Sequence, residues 1–87
     1  MKEFHVEVYV RIKKSLLEPQ GITIEKAMRR LGMQNVRNTR VGKLIEFDIE
    51  AENEDAARTQ VEDISHKLLA NPVIEDFEYR IYQKCQD

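Results

Sequence analysis

Ser15, Ser65 and Cys85 are the candidate nucleophiles of this chain, and His5 and His66 the candidate bases. A hydrolytic or transfer site needs a nucleophile, a base and a group that orients the base. Neither serine sits in a nucleophile motif. Cys85 lies two residues from the end of the sequence, where an oxyanion hole and water exclusion are hard to build. His66 falls late in a helical pattern and suits a helix-end role, while His5 falls on the polar side of an alternating pattern and reads as surface. His5, His66 and Cys85 are far apart in sequence with no short-spaced ligand pair, so no metal site is expected. Gly21, Gly32 and Gly42 are the only glycines and are too scattered for a phosphate-binding loop. Independent catalysis is therefore not expected.

Charge patterning carries more information. Lys26 to Lys43 holds six basic residues and no acid, whereas Glu46 to Asp63 holds eight acids against the single base Arg58. A chain polarised in this way suits docking against partners of complementary potential, although both runs also fit ordinary solvated faces. The basic run lacks the stacking aromatics of single-strand RNA binders, and the formal net charge is −2, so nucleic acid is not an expected partner. Two polar loops stand out. Leu17-Glu18-Pro19-Gln20-Gly21 is stiffened by its proline, and Arg40-Val41-Gly42-Lys43 turns tightly beside two cations. Exposed Gln, Arg and Lys on rigid loops are frequent binding residues.

The elements that must hold these loops follow from periodicity. Phe4, Val6, Val8, Val10 and Ile12 alternate with polar residues and predict a half-buried strand. Glu18 to Gly21 reads as a turn or loop. Ile24, Ala27, Met28 and Leu31 then share one helical face, which Gly32 is placed to end. An extended pattern runs from Val36 to Glu50, with Gly42-Lys43 as either a hairpin turn or a bulge in one bent strand. Asn53 caps a second helix whose buried stripe is Ala57, Val61, Ile64 and Leu68, and Asn71-Pro72 stops it. Phe77, Tyr79 and Ile81 alternate in a last strand. The order predicts an α+β fold: a β-α-β(-β)-α-β sandwich with two helices on one face of a largely antiparallel sheet. Its other face would carry His5, Tyr9, Leu44 and Tyr82 among charges, which fits scattered surface residues or a self-association surface.

With 87 residues, the chain is expected to form a single domain spanning 1–87, too small for a deep private active site. Hydrophobic residues make up 41%, which favours a soluble globular class, and no apolar run approaches the ~18–20 residues of a membrane span. The alternating start is unlike a signal peptide. A lone cysteine allows no internal disulfide and points to a reducing cytoplasm.

Val10-Arg11-Ile12-Lys13, Leu17-Glu18-Pro19-Gln20-Gly21, Val36 to Glu46 with Arg40-Val41-Gly42-Lys43, and Lys67-Leu68-Leu69-Ala70-Asn71-Pro72-Val73-Ile74-Glu75-Asp76-Phe77 occur in the order of the PurS family. The sequence resembles that family over about residues 3–82. One departure is Glu18, where the family often has Asp. PurS is the small subunit of phosphoribosylformylglycinamidine (FGAM) synthase. The resemblance implies a non-catalytic role in the fourth step of purine synthesis. The subunit would bridge the glutaminase PurQ and the synthetase PurL and help ammonia pass between them. ATP, Mg and glutamine would be used by the complex, with no cofactor held by this chain. The resemblance also implies a homodimer or homotetramer, with sheets associating across subunits. Gln20, Gly21, Arg40, Gly42, Lys43 and Asn71 are the expected partner-facing or assembly positions; Gly21, Gly42 and Asn71 fit a purely backbone role equally well. The competing class is a small dimeric ligand-sensing α+β regulatory domain.

Overall fold

The alternation at the N-terminus yields the 11-residue strand β1, Lys2–Ile12. Phe4, Val6, Val8 and Val10 point to one side and are buried. This computed structural model describes residues 1–84; Cys85 lies outside the described residues. Strand β1 is central. Strand β2 (Gly42–Ala51) pairs with one edge and β3 (Glu75–Gln83) with the other, both antiparallel, giving the order β2-β1-β3. Helix α2 (Glu54–Ile64) lies against the apolar side of the sheet, where Ala57 and Val61 meet the β1 valines and Phe4. The molecule is thus an α+β fold with one covered and one open sheet face.

The start of α2 follows its capping signal. Asn53 Oδ1 accepts the Ala56 amide at 2.8 Å, and Glu54 and Asp55 occupy the positive end of the helix dipole. The end departs from expectation. Ser65–Leu69 forms a π-helical turn, which is wider than an α-turn and rotates the buried stripe. Ser65 and Ala70 face the core in place of Ile64 and Leu68, and Leu68 is 72% exposed.

Three further expectations change. Glu18 to Gly21 is not a free turn: Glu18 is the N-cap of α1 (Pro19–Arg30), and Pro19 takes the first helical position, where its missing N–H costs nothing. No hairpin or bulge forms at Gly42. Strand β2 begins there, and Val36–Val41 is irregular because Thr39 to Val41 is bonded to the α1 N-terminus rather than to a strand. Asn38 supports this path with a φ of 59°, a left-handed conformation that asparagine tolerates. Finally, only α2 covers the sheet. Helix α1 projects from the end of the strands, touching the rest of the molecule through its first turns. Its stripe therefore stays open, with Ile24 44% and Leu31 86% exposed. The radius of gyration is 16.9 Å, against ~12 Å for a compact chain of this length. Gly32, at φ 103°, ends α1 as expected.

Candidate functional site

All six expected site residues lie at or beside the end of the sheet where β1 leaves and β2 and β3 enter. Gln20 stands exposed on the first turn of α1. With Val41, Gly42, Lys43 and Glu75 it lines a cleft of about 170 Å³ that reaches Val10 and Ile12. Lys43 Nζ stands 3.8 Å from Glu75 Oε2. Glu75 Oε1 accepts the Asn71 amide at 2.7 Å, so Lys43, Glu75 and Asn71 form one polar chain across β2 and β3. Asn71 also shapes the turn into β3: its Oδ1 accepts the Val73 amide at 3.1 Å, and its carbonyl accepts those of Ile74 and Glu75.

Gly21, Arg40 and Gly42 hold backbone together. A Cβ on Gly21 would sit 2.1 Å from the Thr39 carbonyl oxygen, and one on Gly42 2.7 Å from that of Val10. The Arg40 guanidinium donates to the carbonyls of Lys13 and Leu16 at 2.9 Å each, and to Ile12 at 3.3 Å. It closes the β1–α1 loop over the sheet end.

Glu18 was not singled out from the sequence as a site residue, yet it is the centre of this region. It is only 4% exposed. Both carboxylate oxygens accept the Gly21 amide at 3.0 Å, and Oε1 accepts the Val41 amide at 2.9 Å. Burial pushes its carboxyl upward, but the amides of Gly21, Val41 and Gln20 and the Arg40 charge outweigh that and hold it below the ordinary value. Glu25 does the same two turns later, accepting the Thr39 amide at 3.1 Å and hydroxyl at 3.0 Å, which lowers its carboxyl too. A glutamate directly before proline at a helix start was the available signal; glutamate is simply an uncommon cap.

The result is a rigid end surface that presents Gln20 and Lys43 beside a shallow groove of about 420 Å³ along Pro19, Gln20, Thr23 and Ile24. The exposed polar groups beside that groove are the Gln20 amide and the Lys43 ammonium. His66 packs edge-on against Phe77, with ring centroids 4.9 Å apart, and Ser65 Oγ is buried with no hydrogen-bond partner among the described residues. On the open face, His5 Nδ1 lies 2.8 Å from Asp48 and Nε2 3.2 Å from Glu46; these two partners hold the imidazole above its ordinary value. His5, Glu7 and Glu46 thereby form a cluster that sequence spacing did not reveal, because strand register creates it.

A family model, PurS, described as phosphoribosylformylglycinamidine (FGAM) synthase, matches residues 5–83. The chain is 40% identical over 78 residues to the synthase subunit PurS of Methanocaldococcus jannaschii, covering 90% of this chain and 94% of that one. It is 38% identical to that of Bacillus subtilis, covering 90% of this chain and 92% of the relative. Among solved structures, it is similar to a chain of the Thermotoga maritima PurLQS structure (TM-score 0.86, 34% identity, 93% of this chain and 99% of that one). The crystal structure of M. jannaschii PurS superposes with a TM-score of 0.83 at 38% identity, covering 93% of this chain and 98% of that one. Matches of this length and identity, on a shared fold, place the chain in the PurS family.

Proposed function

We propose that this chain is the non-catalytic small subunit of FGAM synthase, working with a PurL-type synthetase and a PurQ-type glutaminase. The observation that carries the reading is near full-length similarity, at a TM-score of 0.86, to a chain of a PurLQS structure. In the reaction, formylglycinamide ribonucleotide, glutamine and ATP become FGAM, glutamate, ADP and phosphate. Glutamine hydrolysis and ATP-dependent activation belong to the large partners, which use the ATP and Mg. This subunit contributes position: it holds two active sites in a geometry that replaces diffusion of ammonia through water.

The rigid sheet end supports that role, with Gln20, Lys43 and the adjoining groove as the surface offered to a partner. Gly21, Arg40, Gly42 and Asn71 keep that surface in shape. The uncovered apolar residues on α1 and just past its end support self-association into a homo-oligomer, since Ile22, Ile24, Leu31 and Met33 are all more than 40% exposed. No helix among the described residues is long and apolar enough to cross a membrane, in keeping with work beside cytoplasmic partners.

The test is reconstitution. With purified synthetase and glutaminase, omitting this chain should abolish glutamine-dependent FGAM formation and reduce ammonia-dependent formation much less. Unchanged glutamine-driven turnover without the chain would reject the proposal. Lys43→Glu should weaken co-elution of the three subunits while leaving the far-ultraviolet spectrum of the isolated chain unaltered.

A further inference from the structure

We propose that His5 is a pH-dependent clasp on the open face of the sheet: as an imidazolium it ties β1 to β2 through Asp48 and Glu46, and on losing its proton it lets Glu46 go. Strand register sets up the contact. Asp48 is the partner of His5 across β1 and β2, and Glu46 is the neighbouring residue of β2 on the same face. Asp48 Oδ1 lies 2.8 Å from Nδ1 and Glu46 Oε1 lies 3.2 Å from Nε2, so each ring nitrogen meets its own carboxylate.

An ionised carboxylate only accepts hydrogen bonds, and a neutral imidazole carries a single N–H. Only the imidazolium, with a donor at each nitrogen, satisfies both partners. One proton thus supplies both the charge and the second cross-strand bond. The two carboxylates are held unequally. The second oxygen of Asp48 accepts from Lys84 Nζ at 3.0 Å, which fixes that side chain. Glu46 has His5 as its only ion-pair partner among the described residues, and its side chain is 51% exposed. Deprotonation therefore leaves the remaining N–H with Asp48. The Nε2 lone pair then faces the Glu46 carboxylate across the same gap, and the exposed side chain turns into water.

The charges around the ring favour the protonated form. On β3 its register partner is Tyr82, with Arg80 and Lys84 to either side; on β1 it is flanked by Glu3 and Glu7, and on β2 Glu50 follows Asp48. Lys84 is bonded to Glu3 as well as Asp48, and Arg80 stands opposite Glu7, so these cations are answered by carboxylates other than Glu46. Helix α2 lies on the opposite face, which leaves the ring open to solvent and its ion pairs screened. The hydrogen bonds to Asp48 and then Glu46 hold the imidazole above its ordinary value of 6.5. The fold thus binds this proton more tightly than the unfolded chain. Its stabilisation is complete below about pH 6.5 and is lost as pH rises through the folded value.

A histidine NMR titration of the full-length chain tests the clasp, with the His5 ring signals identified by their loss in His5→Gln. His5 should titrate above 6.5, with protons on both ring nitrogens at about pH 6. Glu46→Gln and Asp48→Asn should each lower the titration midpoint, Asp48→Asn by more. Glu50→Gln, on the same face without contact to the ring, should leave it nearly unchanged. Thermal melts at successive pH values give a second readout that cancels every other titrating group. The midpoint of the parent should fall relative to that of His5→Gln as pH rises from about 6.5 through the His5 titration. A His5 titration at or below 6.5, or one unmoved by Glu46→Gln, would overturn the proposal. So would melting midpoints of parent and His5→Gln that follow pH in parallel.

Discussion

The Glu18 carboxylate accepts the backbone amide of Val41 at 2.9 Å, joining the first turn of α1 to the start of β2 across a sequence separation of 23 residues. The same side chain caps its own helix through Gly21. One buried anion thus fixes both the helix start and the segment that returns to the sheet. Glu18→Gln keeps the shape but turns an amide group toward N–H donors. Loss of the cap should lower the midpoint of thermal unfolding by roughly 4–8 °C, read by circular dichroism.

Acid should attack this seam. The Glu18 carboxyl is held below its ordinary value of 4.5 in the fold, and Glu25 likewise. The unfolded chain then binds more protons than the fold as pH falls. The stabilisation from both groups is complete above about pH 4.5 and is lost as pH drops through their depressed folded values. Melts taken across that range should show a steep acid limb in the parent chain and a shallower one in Glu18→Gln. Equal limbs would remove Glu18 from the acid response.

Arg40 looks from sequence like a loop charge that reversal should leave structurally neutral. Its three carbonyl contacts change that expectation. Arg40→Glu places an anion against the oxygens of Ile12, Lys13 and Leu16. It should cost about 1–2 kcal/mol in denaturant unfolding and speed amide exchange across Lys13 to Leu17. Weakened subunit assembly with an unchanged unfolding midpoint would instead assign Arg40 to the partner surface.

Strands were legible because alternation depends on nearest neighbours: Phe4 to Val10 and Phe77 to Ile81 face the helix as their pattern dictates. The cap at Asn53 and the stop at Gly32 were legible for the same local reason. What escaped depends on distant partners. The apolar face of α1 has the spacing of a packed helix, yet its position is set by Glu18, Glu25 and Thr39, so Ile24 and Leu31 on that face stay exposed. Ser65 follows Val61 by an ordinary four-residue step, and the five-residue step of the π-turn then carries the α2 stripe past Leu68 to Ala70, which a fixed helical period does not anticipate. At the sheet end, Gln20 and Lys43 come together only once β1 and β2 are in register.

Gly21→Ala probes how closely the α1 start is pressed onto the return segment. The added Cβ would overlap the Thr39 oxygen at 2.1 Å and the Arg40 Cα at 2.8 Å, both backbone atoms that cannot swing aside. Alanine is otherwise a better helix former than glycine. Overpacking should prevail, with a loss of roughly 1–3 kcal/mol in denaturant unfolding. A gain in stability would mean that the seam yields without strain.

Ser65→Ala should act in the opposite direction. Ser65 is fully buried, and its Oγ has no hydrogen-bond partner among the described residues. A buried hydroxyl left unpaired keeps its desolvation cost, about 1–3 kcal/mol, with nothing to offset it. Alanine removes the oxygen, leaves a void no larger than that atom and favours the helical backbone. Against these gains stand a few lost dispersion contacts of the buried oxygen. The net change should raise the unfolding midpoint by several degrees, about what 1 kcal/mol produces in a domain of this size. A lower midpoint would show that the hydroxyl is paired in solution, by a trapped water, and that the π-turn at this position exists to hold it.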